Sequence, residues 1–234
     1  MFDFERGELL LINKPIGWTS FDVVNRIKKL IKKYTGKSVK VGHAGTLDPL
    51  ARGLLIVATG KMTKQISLYQ NLDKGYSTII YFGATTPSYD AATEINQTFP
   101  YEHITQNLLA EVLREKFLGE QWQMPPEYSA KRINGRRAYE LARKGIKPEL
   151  KPVKINIKEI EIIDHRLPKC VTLRMVVSKG TYIRAVARDL GKALNSGAYV
   201  KFLMREMIGD FYLSDAITIE QFEVLISQQY KNDA

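Results

Sequence analysis

The chain has 234 residues, 44% hydrophobic and 10% aromatic, an ordinary composition for a globular protein with one large core or two small ones. No apolar run approaches the ~20 residues that span a bilayer, no basic region precedes an apolar stretch at the N-terminus, the single Cys170 rules out an intrachain disulfide, and three scattered histidines have no metal-ligand spacing. These exclusions imply a reducing, cytoplasmic address without a membrane span, and 35 Lys and Arg against 25 Asp and Glu, a formal charge of +10, suggest a polyanionic partner, with an anionic membrane surface or simple solubility as the other readings until the basic clusters are located.

Glu8 to Asn13 reads as a short strand ended by Lys14-Pro15-Ile16-Gly17-Trp18. Thr19 or Ser20 opens a helix, with Thr19 and Asp22 spaced as a capping box. Phe21, Val24, Ile27, Leu30 and Ile31 form its predicted apolar stripe. Arg26, Lys28, Lys29, Lys32 and Lys33 point elsewhere, either as a solvated surface or as a face that follows a phosphate backbone.

The stretch from Val41 to Gly60 then presents one carboxylate, Asp48, in a loop punctuated by Gly42, Gly45, Pro49 and Gly53, just before the apolar strand Leu54 to Ala58. Glycines open backbone angles closed to other residues, and a following proline biases Asp48 away from helix, so the loop suits a carboxylate held in one pose. Asp-Pro is also a common turn-former, and spacing alone favours that plainer reading. A short helix is predicted from Lys61 to Tyr69. Gly60-Lys61 is no phosphate loop, because the earlier glycine and the following Ser or Thr are absent.

Tyr76 to Phe82 reads as a strand with Tyr76, Thr78, Ile80 and Phe82 on one face. A connection containing Asp90 leads to a helix from Thr105 or Asn107, whose stripe is Leu108, Leu109, Val112, Leu113 and Phe117 and whose end is Gly119. From Gln123 to Lys147 the texture changes. Lys131, Arg132, Arg136, Arg137, Arg143, Lys144 and Lys147 are interleaved with Tyr128 and Tyr139 around Pro and Gly breaks. An exposed loop is the bland reading, but this density of cations favours an extended arm that meets phosphates with its charges and bases with its rings.

Two strands follow, Val153 to Ile163 and Val171 to Ser178, then a helix through Leu194 with Thr181 as its cap and Arg184 in its first turns. Tyr199 to Met207 is a further strand, and Thr218 to Gln228 a helix with a Thr218/Gln221 capping box.

Four separated stretches now stand in order: Asn13-Lys14-Pro15-Ile16-Gly17-Trp18-Thr19-Ser20, Gly42-His43-Ala44-Gly45-Thr46-Leu47-Asp48-Pro49-Leu50-Ala51, Pro125-Pro126-Glu127-Tyr128-Ser129-Ala130 and Ser178-Lys179-Gly180-Thr181-Tyr182-Ile183-Arg184. Together they closely resemble the bacterial TruB-type tRNA pseudouridine synthases, over about Leu9 to Arg205. The resemblance implies an isomerase that converts the T-loop uridine at tRNA position 55 to pseudouridine, with base flipping and without metal or other cofactor. It implies an α+β fold, a mixed, mainly antiparallel sheet with flanking helices and an RNA-clasping arm at about 123 to 147. Asp48 matches the catalytic aspartate, Tyr76 the tyrosine that stacks on the target base, and Arg184 the arginine that pairs with the aspartate. His43 matches a residue that fills the space left by the flipped nucleotide, and Tyr182 and Leu203 match further uridine-pocket positions. The partner implied is the tRNA T-arm, and a monomer is expected.

Two departures bear on these expectations. Thr93 stands where the resemblance leads one to expect a glycine three positions after Asp90, and Pro87 also breaks the pattern, so Asp90 receives no role. The residues after Arg205 leave room for a strand and a helix, so one catalytic domain over 1–234 is expected, without a complete C-terminal PUA-like domain. Two other classes remain open from the residues themselves: an RNA-binding protein that makes no use of Asp48, and a nucleosidase or base glycosylase that releases free uracil.

Overall fold

The computed structural model describes residues 2–129, 132–133, 136–138, 141 and 145–231. The chain divides into two compact units, Met1–Lys74 with Met204–Ala234, and Gly75–Leu203. The first opens with β1 (Leu9–Lys14), α1 (Ser20–Thr35), β2 (Val41–His43), β3 (Ala51–Thr59), a 3₁₀ turn at Gly60–Gln65 and α2 (Ile66–Asn71). The second contains β4 (Lys74–Phe82), which starts at the boundary, then β5 (Ala84–Thr85), β6 (Gln97–Thr98), α3 (Gln106–Lys116), β7 (Gly119–Gln123), β8 (Arg132–Ile133), β9 (Arg136–Arg137), β10 (Val153–Arg166), β11 (Cys170–Val177) and α4 (Ile183–Ala193). Strand β12 (Ala198–Ile208) returns the chain to the first unit, which closes with β13 (Phe211–Tyr212) and α5 (Ile219–Lys231). The fold is mixed α+β with mainly antiparallel strand pairing, as the resemblance implies.

In the first unit β1 and β3 run antiparallel, with Leu9 opposite Ala58 and Lys14 opposite Gly53. Leu54 to Ala58 are fully buried because both faces of β3 are covered. Leu55 and Val57, with Leu10 and Ile12 of β1, pack on Val23, Ile27, Leu30 and Ile31 of α1 and on Ile219, Phe222 and Ile226 of α5. Leu54 and Ile56 face the other way, onto Ile208, Ile66, Tyr69 and Leu72. A strand buried on both sides needs a continuous apolar run rather than an alternating one, as its sequence has.

Helix α1 has the expected capping box: Thr19 accepts from the Asp22 N–H, and Asp22 accepts from the Thr19 N–H. Gly36 ends it in the left-handed region at φ 71°. Phe21, expected in the core, is 65% exposed, and Val23 is buried in its place. At about 100° per residue, Phe21 lies roughly 120° from the middle of the buried stripe. The α5 capping box is also present, Thr218 and Gln221 each accepting from the other's N–H.

In the second unit the order of strands is β12, β4, β11, β10, β7. β4 buries Tyr76, Thr78, Ile80 and Phe82, the face read from the sequence. α3 starts at its Thr105 cap and buries Leu109, Val112 and Leu113. β7 was not foreseen; it pairs with β10, Gln123 opposite Val153. Thr181 does not cap α4. Its hydroxyl donates to the Ser178 carbonyl within the turn at Gly180, and the helix begins two residues later without a side-chain cap.

Candidate active site

The loop between β2 and β3 is pinned residue by residue. Ala44 N–H donates to the Ile56 carbonyl at 2.9 Å. Leu47 is held by Ser20, whose Oγ accepts from Leu47 N–H at 2.8 Å and donates to the Leu47 carbonyl at 3.3 Å. Asp48 accepts on its carbonyl from Ala51 N–H at 3.0 Å, and Pro49 accepts from Gly17 N–H at 2.8 Å. These bonds come from β3 and from the turn before α1, so the capped helix start and the loop fix one another. The Asp48 side chain is half-buried at the loop apex.

Two buried cations flank this loop. Arg205, 1% exposed, donates from Nε to the Leu54 carbonyl at 2.8 Å and from Nη2 to the Gly45 carbonyl at 3.1 Å. Lys14, fully buried, donates to the carbonyls of Trp18 at 2.5 Å and Pro15 at 3.0 Å, with Pro49 at 3.5 Å. Burial pushes the Lys14 ammonium down to about 8; Asp48 opposes that shift, Arg205 adds to it and Asp22 opposes it. The geometry thus holds an acidic side chain at a rigid apex within the field of a desolvated ammonium, and exposes Thr46 and Pro49 beside it.

In the second unit, Tyr76 on β4 and Leu203 on β12 are both 8% exposed. Their strands are neighbours, with Thr78 Oγ1 donating to the Phe202 carbonyl at 2.8 Å. Tyr182 stands at the N-cap of α4 and Arg184 in its first turn. Arg184, 5% exposed, donates within this unit to the carbonyls of Ser88 at 3.0 Å and Tyr128 at 2.9 Å, and its Nε lies 3.6 Å from Asp90 Oδ2. Asp90 is therefore a buried carboxylate partner of Arg184. Its Oδ1 accepts from Ser88 Oγ at 2.5 Å and Ala92 N–H at 2.9 Å. Thr93 joins the same turn, its Oγ1 accepting from Ser88 N–H at 3.2 Å. No local pattern announced that ion pair, since Asp90 and Arg184 are remote in sequence.

One helical turn on, Arg188 donates to the Met124 carbonyl at 2.9 Å and lies over the Tyr89 ring, 5.2 Å from its centroid. Gln123 is buried and accepts from Tyr182 N–H at 2.9 Å, while its amide donates to the Tyr182 carbonyl at 3.2 Å. The segment from Gln123 to Ser129 is therefore clamped to α4. Of the arm cations, Lys131, Arg143 and Lys144 lie outside the described residues. Arg132 and Arg136 to Arg137 fall on the short antiparallel pair β8 and β9. His43 and Asp48 belong to the first unit and Tyr76, Tyr182, Arg184 and Leu203 to the second. Among the described residues no helix is long and apolar enough to cross a membrane.

Residues 29–183 match the family described as TruB family pseudouridylate synthase (N terminal domain). Proteins named tRNA pseudouridine synthase B from Phocaeicola vulgatus and Bacteroides fragilis are each 50% identical to the chain over 228 residues. The match covers 97% of this chain in both cases, with 96% and 97% of the relative. The counterpart from Flavobacterium johnsoniae is 50% identical over 223 residues, 94% of this chain and 96% of its own. Among solved structures, a chain of "Crystal Structure of a Cbf5-Nop10-Gar1 Complex" aligns with TM-score 0.72 and 24% identity, covering 99% of this chain and 57% of that one. A chain of "Structure of H/ACA RNP bound to a substrate RNA containing 2'-deoxyuridine" aligns with TM-score 0.70 and 24% identity, covering 99% and 56%. The protein thus spans somewhat over half of those solved chains, and at this identity the likeness shows the fold.

Proposed function

Because the chain belongs to the TruB family of pseudouridylate synthases, we propose that it converts the T-loop uridine at position 55 of tRNA to pseudouridine, with Asp48 as the catalytic carboxylate. The observation that carries this reading is the pinned loop that holds Asp48 at its apex, in a chain half identical over nearly its whole length to proteins named for tRNA pseudouridylation.

The reaction breaks the C1'–N1 glycosidic bond, turns the uracil while it stays bound, and joins C5 to C1'; a proton leaves C5 and N1 gains one. Nothing is oxidised or hydrolysed. A carboxylate serves this as a nucleophile at the sugar or at uracil C6, or as a base on the ribose, and a rigid loop limits the reorganisation each route requires. Reaching the buried bond requires extruding the uridine at a cost of a few kcal/mol, which stacking on Tyr76 offsets by ~1–3 kcal/mol. In this proposal Arg184 is the cation partner of Asp48, Tyr182 and Leu203 line the uridine pocket, and His43 takes the space vacated in the T-loop. Lys131, Arg132, Arg136, Arg137 and Arg143 meet the T-arm phosphates. One chain acts alone, without metal or organic cofactor, in the cytoplasm where tRNA is processed.

The test is the pseudouridine content, position by position, of an unmodified tRNA transcript incubated with excess wild-type or Asp48→Ala protein without added metal or cofactor. Conversion at the T-loop uridine by the wild type alone is expected. Conversion at another uridine overturns the site assignment, and conversion by Asp48→Ala overturns the role of Asp48.

A further inference from the structure

The outer face of α1 carries a row of side chains that neither the core nor the active-site loop uses. On one side, Arg26 and Lys33 are tied to Glu223 of α5, at 2.7 and 3.1 Å. Lys28, Lys29 and Lys32 are exposed and enter no ion pair among the described residues. Helical periodicity sets Phe21, Lys28 and Lys32 along one line, with Lys29 beside it, over roughly 16 Å of axis. Phe21 ends the row, 65% exposed, and Ile16, 58% exposed, stands in the preceding turn. These two apolar side chains stand exposed at the loop end of a helix whose later turns carry three exposed cations that enter no ion pair among the described residues.

The row also has a fixed starting point. Ser20, next to Phe21, holds Leu47 by two hydrogen bonds, and Gly17 holds Pro49 by one, so α1 projects from the Asp48 loop itself. A helix of 16 residues extends about 24 Å from there.

We propose that this face of α1 is a second RNA-binding surface: Phe21 and Ile16 lie against an unstacked base or sugar beside the target uridine, and Lys28, Lys29 and Lys32 follow the phosphates of the adjoining RNA stem. The inference rests on the reading of tRNA as substrate. A polyanion fits three exposed cations that enter no ion pair among the described residues, and an exposed ring at the loop end fits single-stranded bases.

The test uses the full chain in an Asp48→Asn background, with an unmodified tRNA transcript as probe and binding measured from 50 to 300 mM salt. The triple variant Lys28→Gln, Lys29→Gln, Lys32→Gln is expected to raise Kd on the order of 1,000-fold at 50 mM salt, falling to on the order of tenfold at 300 mM, and to flatten the log–log salt dependence by about 3, from three lost phosphate contacts. Phe21→Ala is expected to raise Kd about tenfold with the slope unchanged. Thermal melting of each variant at the parent temperature excludes misfolding as the cause. An unchanged Kd and slope in the triple variant, or a weaker Kd at the parent slope, overturns the phosphate contacts; an unchanged Kd in Phe21→Ala overturns the base contact. Because the assay reads binding and not the position modified, a wild type that converts another uridine would sink the T-loop assignment and leave this surface standing.

Discussion

Ser20 and Leu47 are joined through both backbone groups of Leu47, with the Ser20 hydroxyl accepting at 2.8 Å and donating at 3.3 Å. Ser20 is 1% and Leu47 3% exposed, so water cannot replace either bond. Ser20→Ala leaves a buried N–H and C=O unpaired beside Asp48, a cost of about 1–3 kcal/mol in stability. Since Asp48 is the next residue, the freed loop also misplaces the carboxylate, and a small displacement costs up to about 100-fold in rate. Urea unfolding and single-turnover kinetics on the same preparations check both effects. Full retention of the rate in a destabilised variant would show that the contact supports folding only.

Gly53 and Gly17 make a matched pair for testing close packing. Both have positive φ, 107° and 86°, but a Cβ at Gly53 would run into the Arg205 backbone, whereas at Gly17 it would meet nothing within 4 Å. Gly17→Ala is expected to cost about 1 kcal/mol, the backbone penalty alone. Gly53→Ala adds a clash that rigid backbone cannot relieve, for a total of about 3 kcal/mol or more. Thermal melting of the two variants side by side is sufficient. Equal losses would mean that β3 and Arg205 separate easily.

What the chain reveals before folding follows range. The α1 and α5 caps were readable because each is settled within four residues, and β3 because five adjacent apolar residues have few other uses. Phe21 escapes the pattern because its spacing of three to Val24 suits a helical stripe, yet it lies roughly 120° from the middle of the buried one. β7 was hidden because Glu120, Gln121 and Gln123 lack a strand-like pattern; Gln123 is buried for the sake of two bonds to Tyr182. Nothing in the sequence around Asp90 marks it, because its partner Arg184 comes from a distant helix. The glycines and Pro49 around Asp48 mark a turn in the sequence, but the cations beside it, Lys14 and Arg205, reach it only through tertiary packing.

Asp90 and Arg184 allow charge to be separated from hydrogen bonding. Asp90→Asn can keep an oxygen for Ser88 Oγ and Ala92 N–H while losing the charge near Arg184. Asp90→Ala loses both and leaves a buried guanidinium without this carboxylate, at a cost of about 3–5 kcal/mol. The asparagine variant should therefore unfold at an intermediate denaturant concentration. If Arg184 acts in the reaction, both variants should lose turnover by similar factors despite their different stabilities. Wild-type turnover in Asp90→Asn would show that Arg184 needs no charge partner at this position.

Lys14 should impose a pH dependence on stability. Its ammonium titrates near 8 in the fold, chiefly through burial, against 10.5 for an ordinary lysine. Between these values the unfolded chain holds the proton and the folded chain does not, so stability rises with pH across that window. Below about 8 both states are protonated and the fold carries the full burial penalty; above about 10.5 both are neutral and the penalty is gone. The difference in unfolding free energy between wild type and Lys14→Met, which cancels the other titrating groups, should move in favour of the wild type from pH 8 to 10.5, by on the order of 3 kcal/mol at most. Asp48→Asn removes an attraction that opposes the shift, so in that background the rise should begin below pH 8. A flat difference, or one that moves against the wild type, would show that the ammonium is well compensated where it lies. An onset unmoved by Asp48→Asn would show that the carboxylate does not act on it.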